Sequence, residues 1–321
     1  MALPVLGVGS NVGTLCAASG EKRFQKFFRY RIDSFEMETV ELSYDVYKTD
    51  ETLMDLSPII LTHGLFWNKY VYRNLAEDLC NATKRKVYCL DLRNHGESPS
   101  TEKCDSFAMA ADVKRLIDEN NLKKVVFVSH SFSCAIVYLI ALERTNNLRF
   151  TARFRGKDGD DRQPTFQRIQ RSFHERSVLP QMEIQNRLLT RLDPKMKLKD
   201  AKAKFYELSK FGTKGQEIFY RKVAYDLTKE NGKFKWKINM EHLMDLYRKR
   251  MFSPESRGSS NHEILIVRCG NSGIVTDSKF QAVLEHNPRA RLETLEGTTH
   301  LLMFEKTQEF VEIVKDFLNV V

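Results

Sequence analysis

Apolar positions in the first half of the chain fall into short runs that are separated by segments with helical spacing. The apolar runs predict buried strands at 58–62, 87–91 and 125–128. The intervening periodicity predicts helices at 72–79, 107–119 and 134–143. The segment 40–47 alternates apolar and polar positions, as an antiparallel edge strand does. Strands that alternate with helices at this spacing indicate βαβ units and a mostly parallel central sheet flanked by helices.

The pattern changes beyond position 145, where the chain becomes polar, basic and mostly helical in composition. Strand and helix signals return with an apolar run at 264–269, a second run at 290–295 and an amphipathic period at 307–318. An insertion that interrupts a core explains this order. We therefore expect a leader at 1–35, a core made of 36–145 and 262–321, and a basic helical cap at 146–261.

The net charge of +9 is concentrated in the cap. The stretch 195–257 contains 17 Lys and Arg against 8 Asp and Glu, an excess that equals the charge of the whole chain. A basic surface of this kind suits an anionic membrane or an acidic protein partner, and the alternative is a solvated helical face. No nucleic-acid motif accompanies the charge, so nucleic acid is not a predicted partner.

The first 31 residues differ in character from the rest of the chain. Residues 1–20 are small, apolar and uncharged, and 21–31 are basic and aromatic. A secretory signal has the opposite order, with its positive charge before the apolar stretch. An amphipathic segment poor in acids is typical of a mitochondrial transit peptide, and the alternative is a disordered leader on a cytoplasmic protein.

The strand at 125–128 and the helix at 134–143 are joined by a pentapeptide in which Ser131 is flanked two residues away by Ser129 and Ser133. A small-x-Ser-x-small sequence between a strand and a helix is the layout of a nucleophile elbow, in which a strained turn exposes a serine hydroxyl. The small residues are usually glycines, which adopt positive φ without strain. The pattern predicts Ser131 as a nucleophile, and the alternative is an ordinary turn serine.

A serine nucleophile requires a base and donors for the oxyanion. His300 lies in a loop after the penultimate strand, which is where the base follows the serine in chain order. The backbone N–H groups of Leu65 and Phe132 are the predicted oxyanion donors. His63 and His95 lie in loops at strand ends, and we interpret both as structural. No metal or organic cofactor is predicted.

The residues alone leave several candidates for the acid that orients the base, which are Asp277, Asp158, Asp160 and Asp161. Asp277 follows the strand at 264–269, four residues later than the usual position. Asp158 ends the segment 149–158, which carries three arginines where a buried strand is expected. Arginine is rarely buried unless it is paired, so we expect this part of the sheet to be remodelled.

The order of several motifs indicates a family. These motifs are His63-Gly-Leu-Phe, Asp91-Leu-Arg-Asn-His-Gly-Glu-Ser-Pro, the serine elbow, Trp236-Lys-Ile-Asn-Met-Glu, Gly270-Asn-Ser and the Thr-His300 loop. Between about 43 and 318 the chain resembles the α/β-hydrolase domain-containing protein 11 family. The resemblance implies an α/β-hydrolase fold and a mitochondrial serine hydrolase that acts on acyl esters such as diacylglycerol.

The resemblance also assigns residues. It places the nucleophile on Ser131, the base on His300 and the acid on Glu241. The expected function is hydrolysis of carboxylic esters, of the acylglycerol type, through an acyl-enzyme. The alternative is a weakened or inactive protein with the hydrolase fold that binds a lipid or a partner enzyme.

Overall fold

The structure is a computed structural model that describes residues 38–143, 148–152, 179–209, 217–248, 260–271 and 275–319. The leader predicted at 1–35 lies outside these ranges, as does Asp158.

A seven-stranded sheet forms the centre of the core. Its strands are β1 (Tyr44–Tyr47), β2 (Ile59–Thr62), β3 (Val87–Leu90), β4 (Val125–Ser129), β5 (Leu148–Ala152), β8 (Glu263–Cys269) and β9 (Ala290–Leu295), in the order β1-β3-β2-β4-β5-β8-β9. β1 pairs with β3 in antiparallel fashion at one edge, as predicted, and the other pairs are parallel. The predicted fold class, α/β with a mostly parallel sheet, is confirmed.

β5 differs from the expectation for the arginine-bearing segment. Residues 148–152 form a regular strand between β4 and β8, with Phe150 in register with Phe127 on one side and Ile264 on the other. The central sheet is therefore continuous, and the core extends to at least residue 152 rather than ending at 145. Residues 148–152 form a strand because their backbone groups pair with two neighbouring strands, although their sequence pattern does not predict one.

Helices cover the sheet. Those of the core are α1 (Arg73–Thr83), α2 (Ser106–Glu119), α3 (Ser133–Glu143), α8 (Asp277–His286), α9 (Leu302–Glu305) and α10 (Thr307–Asn319). Asp105 is the N-cap of α2, and its side chain accepts a hydrogen bond from the N–H of Ala108, which satisfies one free donor of the first turn. None of the helices in the described ranges has the length and apolar composition needed to span a membrane.

The insertion contains helices and a hairpin. Its helices are α4 (Leu179–Leu189), α5 (Leu198–Ser209), α6 (Glu217–Val223) and α7 (Met240–Arg248), and its hairpin consists of β6 (Leu227–Glu230) and β7 (Lys233–Trp236). Asn231 and Gly232 form the turn with φ of +48° and +74°, as a two-residue hairpin requires. The hairpin is an addition to the helical cap expected from composition.

Candidate active site

Ser131 occupies the turn between β4 and α3, with φ at +59°. This left-handed conformation is unfavourable for a residue with a side chain and persists only where the surroundings enforce it. The carbonyls of Ser131 and Phe132 accept hydrogen bonds from Cys134 and Ala135, each at 3.2 Å, so the turn leads directly into α3. The strained strand-turn-helix predicted from the sequence is present.

The two serines in the glycine positions are buried and hydrogen-bonded. The Thr62 hydroxyl donates to Ser129 Oγ at 2.7 Å and lies 3.0 Å from Ser133 Oγ. Ser133 Oγ also accepts from the N–H of His130 at 3.2 Å. The hydroxyl that each serine has in place of a glycine hydrogen is therefore paired within the core, and the two serines are compatible with the turn at Ser131.

His300 lies close to the elbow. Its Nε2 is 3.1 Å from Ser131 Oγ, within reach of the proton that a base has to remove. The N–H of Thr299 donates to Glu305 at 2.6 Å and its hydroxyl donates at 2.5 Å, which fixes the loop against α9. The structure therefore brings the predicted nucleophile and base together.

The loop after β2, residues 63–68, is named the oxyanion loop because it carries one of the two predicted oxyanion donors. Phe66 has φ at +68°, and the N–H of Trp67 donates to the carbonyl of Gly64 at 3.3 Å, so the backbone around Leu65 is tightly turned. Among the described residues, no group accepts a hydrogen bond from the N–H of Leu65. The other donor, the N–H of Phe132, directly follows the nucleophile. Backbone donors held in this way suit an oxyanion hole, and the assignment stays a prediction.

His63 and His95 have structural partners, as interpreted from the sequence. The Nδ1 of His63 lies 2.9 Å from the Gly64 carbonyl, and its Nε2 accepts from the N–H of Leu92 at 3.0 Å. The Nδ1 of His95 lies 2.9 Å from the carbonyl of Arg93. Burial lowers the pKa of His63 well below its usual value and that of His95 to about 4, so both rings are neutral at pH 7.

The structure does not bring the predicted acid to the base. Glu241 is exposed in the first turn of α7, where a carboxylate interacts favourably with the helix dipole, and it has no hydrogen bond to His300. Asp277 pairs with Arg268 at 2.5 Å instead. Asp158 lies outside the described residues. In the described part of the chain, no cluster of three or more His, Cys, Asp or Glu side chains is arranged to hold a metal ion.

Asp91 is a site-supporting residue that the sequence analysis did not single out. Its carboxylate accepts from the N–H of Lys69 at 2.6 Å and from the N–H of Glu97 at 2.9 Å, which ties the chain beyond the oxyanion loop to the loop after β3. A Cβ at Gly96 would lie 2.2 Å from this carboxylate. Burial raises the pKa of Asp91 to about 6. The sequence signal for this role is a carboxylate directly after a buried strand, because a buried charge needs hydrogen-bond partners.

Comparison with known proteins agrees with the fold. A family model described as alpha/beta hydrolase fold matches residues 57–149. The chain is 26% identical over 286 residues to the sn-1-specific diacylglycerol lipase ABHD11 of Xenopus laevis, covering 87% of this chain and 84% of that protein. It is 24% identical to ethanol acetyltransferase 1 of Kluyveromyces marxianus, covering 88% of this chain and 81% of that protein. Among solved structures, a marine microorganism esterase superposes with a TM-score of 0.66 at 21% identity, covering 87% of this chain and all of that chain.

Proposed function

From the premise that the chain is an α/β-hydrolase resembling the ABHD11 family, we propose that Ser131 and His300 hydrolyse a carboxylic ester of the acylglycerol type through an acyl-enzyme. The broader class, a carboxylic ester hydrolase, agrees with the diacylglycerol lipases and the esterase that the chain matches. The observation that carries the proposal is the 3.1 Å separation of His300 Nε2 from Ser131 Oγ at a residue with positive φ.

The proposed reaction has two halves. Ser131 Oγ attacks the ester carbonyl while His300 Nε2 takes its proton, and the N–H groups of Leu65 and Phe132 bind the oxyanion. Collapse breaks the bond to the alcohol, which leaves with the proton from His300. His300 then deprotonates a water molecule that attacks the acyl-enzyme, and the carboxylic acid leaves as Ser131 regains its proton.

A fluorophosphonate probe, which reacts with activated serines, tests the nucleophile. We expect the folded protein to be labelled and Ser131→Ala to abolish labelling, because the proposed attacking oxygen is removed. Ser278→Ala, at an exposed serine in α8, is the matched control and should label like the wild type. A folded wild-type protein that does not react would overturn the proposal and favour the inactive, lipid-binding or partner-binding alternative.

The acid can be tested by exchanging each candidate carboxylate for its amide. Neither Glu241 nor Asp277 forms a hydrogen bond with His300. Glu241→Gln and Asp277→Asn should therefore leave the labelling rate within about threefold of the wild type. A loss of orders of magnitude in Glu241→Gln would establish it as the acid in the working enzyme. The same loss in Asp158→Asn would assign that residue instead.

The relatives also suggest a second activity, transfer of the acyl group to an alcohol. The chain matches an ethanol acetyltransferase almost as well as it matches the lipases. Both reactions share the acyl-enzyme, and an alcohol replaces water in the second half. Supplying an activated acyl ester with ethanol and measuring the acid and the new ester would separate them. Release of the carboxylic acid with little formation of the ethyl ester is the outcome expected from the proposal.

We further propose that the basic cap binds an anionic membrane surface. Lys195 and Lys197 are exposed directly before α5, and Lys199 is exposed in its first turn. A lysine close to an anionic surface contributes about 1 kcal/mol, so replacing all three with Gln should weaken binding to phosphatidylserine vesicles by roughly 100-fold. The control exchanges Lys103, Lys123 and Lys124, which are exposed on the core. Equal binding by both triple variants would leave an acidic protein as the remaining partner class.

Import into mitochondria is likewise a proposal, supported by the composition of residues 1–35. A fluorescent protein fused behind these residues should enter mitochondria in cells. A cytoplasmic distribution of the fusion would contradict this proposal and favour the alternative of a disordered leader.

A further inference from the structure

The ring of His130 contacts all three segments that make up the candidate site. Its backbone directly precedes Ser131 in the elbow. Its ring is stacked on the indole of Trp67 in the oxyanion loop, with centroids 4.8 Å apart and planes 11° from parallel. Its Nε2 lies 3.1 Å from the main-chain carbonyl of His300, a residue 170 positions away in the chain. The ring centroids of His130 and His300 are 4.7 Å apart.

The absence of a side chain at Gly64 makes room for this ring. A Cβ at that position would lie 2.5 Å from His130 Nδ1 and 3.0 Å from its Cε1. Only 2% of His130 is exposed. The edge of the ring therefore packs against the backbone that precedes Leu65, and its face is covered by Trp67.

The contact with His300 determines where His130 carries its proton. A carbonyl oxygen only accepts hydrogen bonds, so Nε2 has to be the protonated nitrogen for this contact to be a hydrogen bond. The bond then runs from the elbow to the backbone of the base and not to its ring. This leaves His300 Nε2 available for the Ser131 hydroxyl at 3.1 Å.

We infer that His130 is a positioning residue, which acts by holding the His300 backbone at the distance at which the ring of His300 reaches Ser131. The inference rests on the proposed function, since a positioned base matters only where Ser131 reacts. A misplaced catalytic group loses rate steeply with distance, so this role affects kcat rather than the binding of substrate. His130 does not touch the reacting atoms in this role, and its contribution is geometric.

Two amide variants separate the hydrogen bond from the bulk of the side chain. The amide nitrogen of His130→Gln can occupy the position of Nε2 and donate to the His300 carbonyl, whereas the shorter His130→Asn places its amide near the position of Nδ1. We expect His130→Asn to lower kcat and the rate of fluorophosphonate labelling by about 10- to 100-fold at similar KM. His130→Gln should remain within about fivefold of the wild type.

Three outcomes decide the inference. The expected order of rates, with equal melting temperatures for the two variants, supports it. Equal rates for folded His130→Gln and His130→Asn overturn it, because the donor at Nε2 then has no effect. A wild-type protein that is not labelled at all overturns the proposed function and this inference with it, whereas failure of the inference alone leaves wild-type labelling intact.

A measurement on the unaltered protein provides a test where a variant does not fold. Nitrogen-15 NMR of the histidine side chains distinguishes a ring protonated at Nε2 from one protonated at Nδ1. We expect Nε2 of His130 to carry a proton. A ring protonated at Nδ1 alone would contradict the hydrogen bond and with it the positioning role.

Discussion

Gly64 is a residue at which one added methyl group should affect the site without altering its chemistry. Because a Cβ would lie 2.5 Å from His130 Nδ1, Gly64→Ala has to displace either this ring or the oxyanion loop. We expect fluorophosphonate labelling to slow at least 10-fold. Gly232→Ala is the control, since a Cβ there meets nothing within 4 Å and only its positive φ costs about 1 kcal/mol of stability. Equal labelling by the two variants would show that Gly64 tolerates a side chain.

The residues of the site differ in how far the sequence reveals them. Ser131 could be predicted because its strand, turn and helix are contiguous, and His300 because its loop has a characteristic place in chain order. The contact of His130 with the His300 backbone joins residues 170 positions apart, and no local pattern reports it. Glu241 was assigned by its motif, but its exposed position on α7 depends on how the cap folds.

A buried ion pair joins the loop after β3 to α2. Arg93 donates to Asp112 from Nε at 2.5 Å and from Nη2 at 2.6 Å, and both side chains are at most 1% exposed. Asp112→Asn leaves the guanidinium buried without its countercharge and should lower the free energy of unfolding by about 3 kcal/mol in urea denaturation. Glu119→Gln, in the same helix, removes an exposed partner of Arg115 and should change the free energy of unfolding little. Equal effects would contradict this account of the pair.

β5 shows why an element can escape sequence analysis. Strand prediction depends on apolar or alternating side chains, and Arg149 interrupts that pattern. The strand is nevertheless paired along its length with β4 and β8, which are distant in sequence. Elements with local signals, such as β4 and α2, begin and end within about one residue of their predicted bounds. The hairpin of the cap was missed because its alternation is short and dominated by lysines.

The cap and the core meet at several polar contacts. Lys222 of α6 donates from Nζ to the carbonyl of Val71 at 3.3 Å and lies 4.5 Å from the ring centroid of Phe304, shortly after the predicted base. Asp226, directly before β6, is buried close to Asn68 of the oxyanion loop. The cap therefore contacts the same loops that carry the candidate site. The stability of this interface between cap and core should affect both the cap and the site.

Asp226 should make the stability of the molecule depend on pH. Burial raises its pKa from 3.8 to about 7, against the opposing effects of the Ile238 N–H, Asn68 and Lys237 and with a smaller contribution from Asp91 that also raises it. Between about pH 4 and pH 7 the folded protein thus retains a proton that the unfolded chain has released. The free energy of unfolding contributed by this group falls as the pH rises through that window, by up to about 1.4 kcal/mol per unit.

Exchanging this carboxyl for an amide removes the titration while keeping an oxygen that can accept from the N–H of Ile238, which lies 2.9 Å from Oδ2. From pH 5 to pH 7, the wild type should lose roughly 2 kcal/mol more stability than Asp226→Asn in urea denaturation. Asp193→Asn, at an exposed position of the cap, should follow the wild type. If the stability of Asp226→Asn changes with pH as that of the wild type does, the buried carboxyl carries no proton between pH 5 and pH 7. The interface between cap and core would then contain Asp226 as a permanently charged carboxylate, which Lys237 stabilises.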